Sequence, residues 1–250
     1  MFRVVIPARY ASTRLPGKPL RVIAGRTLLE HVYRRALDSG ADDVRIATDD
    51  ERVVAACRAF GARAEMTQAT HASGTDRIAE VAAREGWDES EIVVNVQGDE
   101  PLLPPALIRQ VAELLEERAT AGVATLATPI GSLAEFLDPN VVKVAIARTG
   151  LALYFSRAPI PWPRDGAGSG LASQTQFGGA LRHLGLYAYR VGALKRLTAM
   201  PPSALEQSEK LEQLRALDND IAIAVGLARE RPGPGVDTEE DLAAVARLLG

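Results

Sequence analysis

The sequence predicts an α/β fold: a mainly parallel sheet with helices on both faces, carrying an antiparallel insertion. Three observations point there. From residue 2 to about residue 130, short β-branched apolar runs alternate with stretches of helical periodicity. Glycine or proline punctuates most of the transitions. Beyond about Phe136 the rhythm changes to closely spaced strand-like segments around a tight turn, a pattern that belongs to antiparallel pairing.

Taken in order, "FRVVIP" reads as a buried strand stopped by Pro7. "RTLLEHVYRRALDSG" reads as a helix with Leu28, Leu29, Val32, Ala36 and Leu37 on one face and Gly40 closing it. "DVRIAT" is a second strand and "DDERVVAACRAFG" a second helix ending at Gly61. A short strand near "ARAEMT", a helix at "GTDRIAEVAAREG" and the apolar strand "EIVVNVQ" follow, then the helix "PPALIRQVAELLEERA" and the strand "GVATLATPI". "NVVKVAIA" and "LALYFSR" flank "RTG" as a hairpin, and "PIPWPRDGAGSGLASQTQFGGA" reads as a long, mobile loop. "LRHLGLYAYR" alternates as a strand, so residues 131–190 are grouped as the insertion within a single domain spanning 1–250. "SALEQSEKLEQLRAL" reads as one helix opened by a Ser203/Glu206 capping box, "IAIAVGL" as a last strand, and "DTEEDLAAVARLLG" as a closing helix.

Composition narrows the possible functions. The chain has 250 residues, 47% hydrophobic and 24% charged, with a formal net charge of −3. That balance lacks the broad basic face needed for bulk nucleic-acid or anionic-membrane binding, so an anion must be held by a few placed residues. The single cysteine, Cys57, excludes an intrachain disulfide and a cysteine-built metal site, and reads as core packing. No apolar run reaches transmembrane length and the N-terminus does not read as a signal peptide, which makes the cytoplasm the expected location.

Ligands of open α/β sheets bind beyond the carboxyl ends of the strands. The residues just after each apolar run are therefore the informative ones. After the first come Arg9, Arg14 and Lys18 in "RYASTRLPGK", a basic loop with neither a G-x-G-x-x-G nor a G-K-[ST] pattern. After "IVVNV" come Gln97, Gly98, Asp99 and Glu100; after "IAIAV" and its turn comes Asp237; after "LALYF" comes Arg157. Cations at one mouth and carboxylates at another suit a polyphosphate held together with Mg²⁺. Each element also has a plain structural reading. The basic loop can be a solvated surface, Asp237 with Glu240 a capping box, Asp99 a turn former, Ser73 and Thr75 helix caps, and His183 a structural strand residue.

Seven segments in a fixed order sharpen the choice: "VVIPARYASTRLPGKPL", "THASGTDRIAEV", "VVNVQGDEP", "ALYFSRAPIPW", "RHLGLYAYR", "LEQLRAL" and "PGVDTEEDL". Together they resemble the 3-deoxy-D-manno-octulosonate (Kdo) cytidylyltransferases, or CMP-Kdo synthetases, over nearly the whole chain. The opening loop and "QGDEP" are shared broadly by sugar nucleotidyltransferases, whereas "YFSR", "RHLG" and "LEQLR" narrow the match. The resemblance implies a nucleotide-diphosphosugar transferase fold with a Rossmann-like sheet, the insertion supplying the sugar site and a homodimer interface. It implies transfer of CMP from CTP to Kdo with Mg²⁺, in the cytoplasm, for lipopolysaccharide biosynthesis. On the nucleotide side it implies Ala8, Arg9, Arg14, Lys18, Ser73, Arg77 and Gln97. Asp99 and Asp237 are implied as metal ligands, and Gln97, Arg157, His183, Tyr187, Glu212 and Gln213 as sugar contacts, with Lys18, Arg157 and the two aspartates carrying catalysis. Two other readings stay open: a cytidylyltransferase for a related acidic sugar (8-amino-Kdo or a sialic acid), and a non-catalytic nucleotide-binding regulator on the same fold.

Overall fold

Val4, Val5 and Ile6 lie fully buried at the middle of the protein, in a strand whose neighbours on both sides run parallel to it. The computed structural model describes residues 1–12, 14–166 and 170–250. In chain order its first half comprises β1 (Arg3–Ala8), β2 (Val22–Ile23), β3 (Arg26–Thr27), α1 (Leu28–Asp38), β4 (Asp43–Thr48), α2 (Glu51–Ala59), β5 (Arg63–Met66), α3 (Gly74–Arg84), β6 (Ile92–Asn95) and α4 (Pro105–Glu117). Then come β7 (Val123–Pro129), α5 (Leu133–Leu137), β8 (Lys143–Ile146), β9 (Ala152–Ser156), β10 (Leu181–Arg190), α6 (Val191–Ala199), α7 (Ala204–Glu209), α8 (Gln213–Asp218), β11 (Ile223–Leu227) and α9 (Glu239–Leu249).

The main sheet runs β11-β7-β10-β6-β1-β4-β5, with β8 and β9 attached beside β10. Strand side chains alternate between two packed layers. Val4, Ile6 and Ala8 face α1, α2 and α4, while Val5 faces α3, α6 and α8. Strand order reverses at β1, which has β4 on one side and β6 on the other, so a crevice opens beyond the carboxyl ends of β1 and β6.

Several expectations need correction. β1 continues through Pro7 to Ala8. Leu37 is 49% exposed, outside the buried face of α1. β10 is not confined to the insertion: its second half is an interior strand, antiparallel to β6 from Tyr187 to Arg190 and to β7 alongside. The expected helix over 203–217 is two. It opens with the Ser203/Glu206 capping box, then breaks at Lys210, whose φ of 54° is left-handed. Arg215 clamps the two pieces by donating from Nε and Nη2 to Glu206 at 2.7 and 2.6 Å. The loop at 159–180 is described except for 167–169, which lie outside the described residues; Gln174 Nε2 donates to the Pro163 carbonyl within it.

A satellite core decides how the ends of the chain meet. Leu15 from the basic loop, Ile23, Leu28, Val236 and Val245 pack together, all nearly inaccessible. This cluster fastens the loop after β1 to the segment that leads into α9. Lys18, three residues beyond the Leu15 anchor, and Asp237, one residue beyond the Val236 anchor, are the groups that matter next.

Candidate active site

The cluster that holds both Leu15 and Val236 brings Lys18 to Asp237 across a separation of 219 residues. Gly17 makes the return turn, since its φ of 65° disfavours any side chain and a Cβ would sit 3.2 Å from the Tyr10 hydroxyl. Lys18 Nζ donates to Asp99 Oδ2 at 2.6 Å and to Asp237 Oδ1 at 3.0 Å, and Arg14 Nη2 donates to the same Asp237 oxygen at 2.9 Å. Burial alone would lower the Lys18 pKa; the Asp99 charge and hydrogen bonds to both carboxylates overcome it, and the net shift is upward. The helix cap after Asp237 is formed by Thr238 and Asp241, not by Asp237 and Glu240, which frees the Asp237 carboxylate. Burial, reinforced by Asp99, pushes the adjacent Glu100 carboxyl up to about 7.

These groups line a cavity of about 410 Å³ beyond the ends of β1 and β6. Ala8, Arg9, Arg14, Lys18, Asp99 and Asp237 all face it. The Arg9 guanidinium donates to the His71 carbonyl, tying this wall to the segment before α3. Arg77 also lines it; its Nη1 and Nη2 donate to Thr67 Oγ1 and Asp49 Oδ2, while its buried Nε–H has no protein partner. Gly98 lets the chain pass close, because a Cβ there would stand 3.0 Å from the Pro7 carbonyl.

A second cavity of about 230 Å³ adjoins the first, and Gln97 and Gly74 line both. Tyr187, Glu212 and Gln213 form its polar wall. The helix break at Lys210 puts Glu212 at the start of α8, where Ser73 Oγ meets Glu212 Oε1 at 3.1 Å. Ser73 is also the N-cap of α3 in a full capping box with Asp76, so its structural role is present alongside the link to Glu212. Burial raises the Glu212 pKa against the opposing hydrogen bonds from Thr75 and Ser73.

Three predicted residues line neither cavity: Ser73, which is linked to the smaller one through Glu212, Arg157 and His183. Arg157 is engaged elsewhere: its Nε donates to the Glu209 carbonyl at 2.7 Å and its Nη1 to the Pro139 carbonyl at 3.0 Å. His183 stands behind Tyr187, with ring centroids 5.3 Å apart, and is edge-on to Phe155 at 5.0 Å. Burial depresses its pKa to about 3, so the ring is neutral at pH 7.

Asn95 and Tyr189, which carry no recognised motif, also stand in the wall of the smaller cavity, as does Thr75, expected only as a helix cap. Asn95 Oδ1 and Gln213 Nε2 are buried there without a protein partner, an acceptor and a donor left for a polar ligand. Signals existed: Asn95 is the one amide inside the apolar run "EIVVNV", and Tyr189 shares the alternation of Tyr187.

A family model described as Cytidylyltransferase matches residues 3–223. The chain is 54% identical over 248 residues to the 3-deoxy-manno-octulosonate cytidylyltransferase of Thioalkalivibrio sulfidiphilus (strain HL-EbGR7), covering 99% of this chain and 98% of that one. It is 55% identical over 248 residues to the protein of the same name from Alkalilimnicola ehrlichii (strain ATCC BAA-1101 / DSM 17681 / MLHE-1), covering 99% and 96%. A solved structure of CMP:2-keto-3-deoxy-manno-octonic acid synthetase complexed with CTP matches with a TM-score of 0.89 at 43% identity, covering 100% of this chain and 98% of that one. A 4-diphosphocytidyl-2C-methyl-D-erythritol synthase shares the fold, with a TM-score of 0.64 at 15% identity, covering 99% and 97%. The chain belongs to the cytidylyltransferase family, among the 3-deoxy-manno-octulosonate cytidylyltransferases.

Proposed function

We propose that the chain transfers CMP from CTP to the anomeric hydroxyl of Kdo, releasing pyrophosphate, as a cytoplasmic homodimer serving lipopolysaccharide biosynthesis. One observation supports the reaction above the others: a cavity with four cations (Arg9, Arg14, Lys18 and Arg77) and two carboxylates opens into a smaller polar cavity, with Gln97 on the wall of both. The larger would take the triphosphate of CTP and the smaller the sugar, leaving the α-phosphate at their junction.

In this reading the sugar hydroxyl attacks the α-phosphorus and loses its proton to solvent, the new O–P bond forms, and the bond from the α-phosphorus to the oxygen bridging to the β-phosphate breaks with its electron pair leaving on pyrophosphate. Transfers of this kind depend on positioning and charge neutralisation, and no protein nucleophile is needed. Arg9, Arg14 and Lys18 neutralise the departing charge, and Gln97 aligns the two substrates. Tyr187, Glu212 and Gln213 hold the sugar. Arg157, which the family resemblance assigns to the sugar side, lies outside both cavities with its guanidinium held by the Glu209 and Pro139 carbonyls.

The donor set fits Mg²⁺. Asp99 and Asp237 both touch one ammonium, and a small hard cation is commonly held by one or two carboxylates plus substrate phosphates. Among the described residues, no group of three or more His, Cys, Asp or Glu side chains is placed to hold a metal, so the other positions fall to phosphate and water. Bound there, Mg²⁺ would supply charge stabilisation to the phosphates.

The test is pyrophosphate release from CTP and Mg²⁺ with Kdo, 8-amino-Kdo or N-acetylneuraminate as acceptor. The reading predicts the highest kcat/KM with Kdo. Preference for either other sugar, or no release with any, would overturn it.

A further inference from the structure

Strand β10 does not run evenly beside β7. Leu184 stands opposite Leu126, but the next partner of β7, Thr125, stands opposite Tyr187. Gly185 and Leu186 are therefore extra residues in a bulge. The bulge has a direct consequence for the cavity. His183 and Tyr187 are four apart in sequence yet lie opposite Ala127 and Thr125, which are two apart. Their rings meet at 5.3 Å, where an even strand would hold the two Cα atoms about 13 Å apart. Tyr187 is thus drawn to its place in the wall, stacked on Tyr189 at 5.8 Å.

The group at the centre of this bulge is the Thr125 hydroxyl. Thr125 has no exposed surface, and its Oγ1 lies 3.0 Å from the Leu184 carbonyl oxygen, 2.8 Å from the Leu186 carbonyl oxygen and 3.0 Å from His183 Nε2. A hydroxyl has one proton to donate and lone pairs to accept with. Both carbonyls can only accept, so the proton goes to them, and Oγ1 accepts from a protonated His183 Nε2. One side chain therefore satisfies the bulge and selects the Nε2–H tautomer of the ring that backs Tyr187. Valine fills nearly the same volume but does neither.

We propose that Thr125 is a positioning residue for the sugar subsite: through the bulge and His183 it holds Tyr187 in the cavity wall. Thr125 does not itself line that cavity. The inference rests on the reading of the smaller cavity as the sugar site.

Two measurements test it. Nitrogen-15 NMR of histidine in the wild-type protein should show His183 as the neutral Nε2–H tautomer; an Nδ1–H tautomer overturns the inference whatever the variants do. Steady-state kinetics should then show that Thr125→Val raises the KM for Kdo about tenfold, the size of one neutral hydrogen bond. The KM for CTP should stay within about twofold, because the larger cavity is untouched, and Thr125→Ser should restore the KM for Kdo. An unchanged KM for Kdo in Thr125→Val contradicts the proposal, as does an equal rise in both KM values that serine does not rescue. If the wild-type protein does not use Kdo at all, the proposed function fails on that result, while the tautomer measurement still judges Thr125.

Discussion

Lys18 Nζ stands 2.6 Å from Asp99 Oδ2, and it touches Asp237 at the same time. The three groups come from three distant parts of the chain, and a small apolar cluster around Leu15 and Val236 is what joins two of them. The charges at the mouth of the sheet are thus ordered by packing as well as by attraction.

Removing either carboxylate should disable chemistry and spare the fold. In Asp99→Ala or Asp237→Ala, Lys18 keeps one partner, so the melting temperature should change little. Loss of charge stabilisation at a phosphoryl-transfer site should lower kcat by about a hundredfold or more. Pyrophosphate release at moderate Mg²⁺, beside circular-dichroism melting, checks both; folded variants with near full activity would contradict the metal assignment.

Leu15→Ala tests the packing. Leu15 is fully buried among Ile23, Leu28, Val236 and Val245, so truncation should cost about 2–5 kcal/mol of stability. Misplacing Lys18 relative to Asp237 should also lower kcat at temperatures where the variant remains folded. Denaturant titration and kinetics at 15 °C separate the two effects. Stability loss with unchanged kcat would show that the cluster does not position the loop.

Glu212→Gln should act on the sugar alone. Glu212 accepts from Ser73 and lines only the smaller cavity. Replacing a buried acceptor by an amide leaves a mismatched donor, a penalty of about 1–3 kcal/mol. The expected outcome is a raised KM for Kdo with the KM for CTP unchanged, read from initial rates with each substrate varied.

His183 predicts a pH dependence of stability. Its pKa in the folded state is about 3, against an ordinary value of 6.5. Below pH 6.5 the unfolded chain binds a proton that the folded chain refuses. Stability from this group is therefore fully present above 6.5 and falls as the pH drops toward 3. Glu100, raised to about 7, works in the opposite direction between pH 7 and its ordinary 4.5, so wild type must be compared with His183→Asn. Melting temperatures from pH 7 to 5 should fall less steeply in the variant; parallel curves would show that His183 is not held neutral.

The alternation of apolar runs and helical periods made the sheet and both helix layers legible, because period and punctuation are local properties. The positions of Lys18, Asp99 and Asp237 after their strands were legible for the same reason. Long-range competition was not. The break at Lys210 follows from α8 docking separately, and it brings Glu212 to the cavity; nothing in "EQSEKLEQLR" announces it. The cap after Asp237 moved by one residue to Thr238 and Asp241, since two overlapping capping boxes were available and only one leaves the aspartate free. The bulge in β10 was hidden because its alternation looks continuous, and with it the place of β10 between β6 and β7. The sugar role of Arg157 rests on the family resemblance, and its side-chain partners in the structure, the carbonyls of Pro139 and Glu209, are ones that no spacing rule reveals.

The most direct test of nucleotidyl transfer across the two joined cavities is phosphorus-31 NMR of the protein with CTP, Mg²⁺ and Kdo. CTP signals should give way to pyrophosphate and a new phosphodiester in equal amounts, and only when Kdo is present. Conversion of CTP to CDP and phosphate, or pyrophosphate release without Kdo, would contradict that transfer.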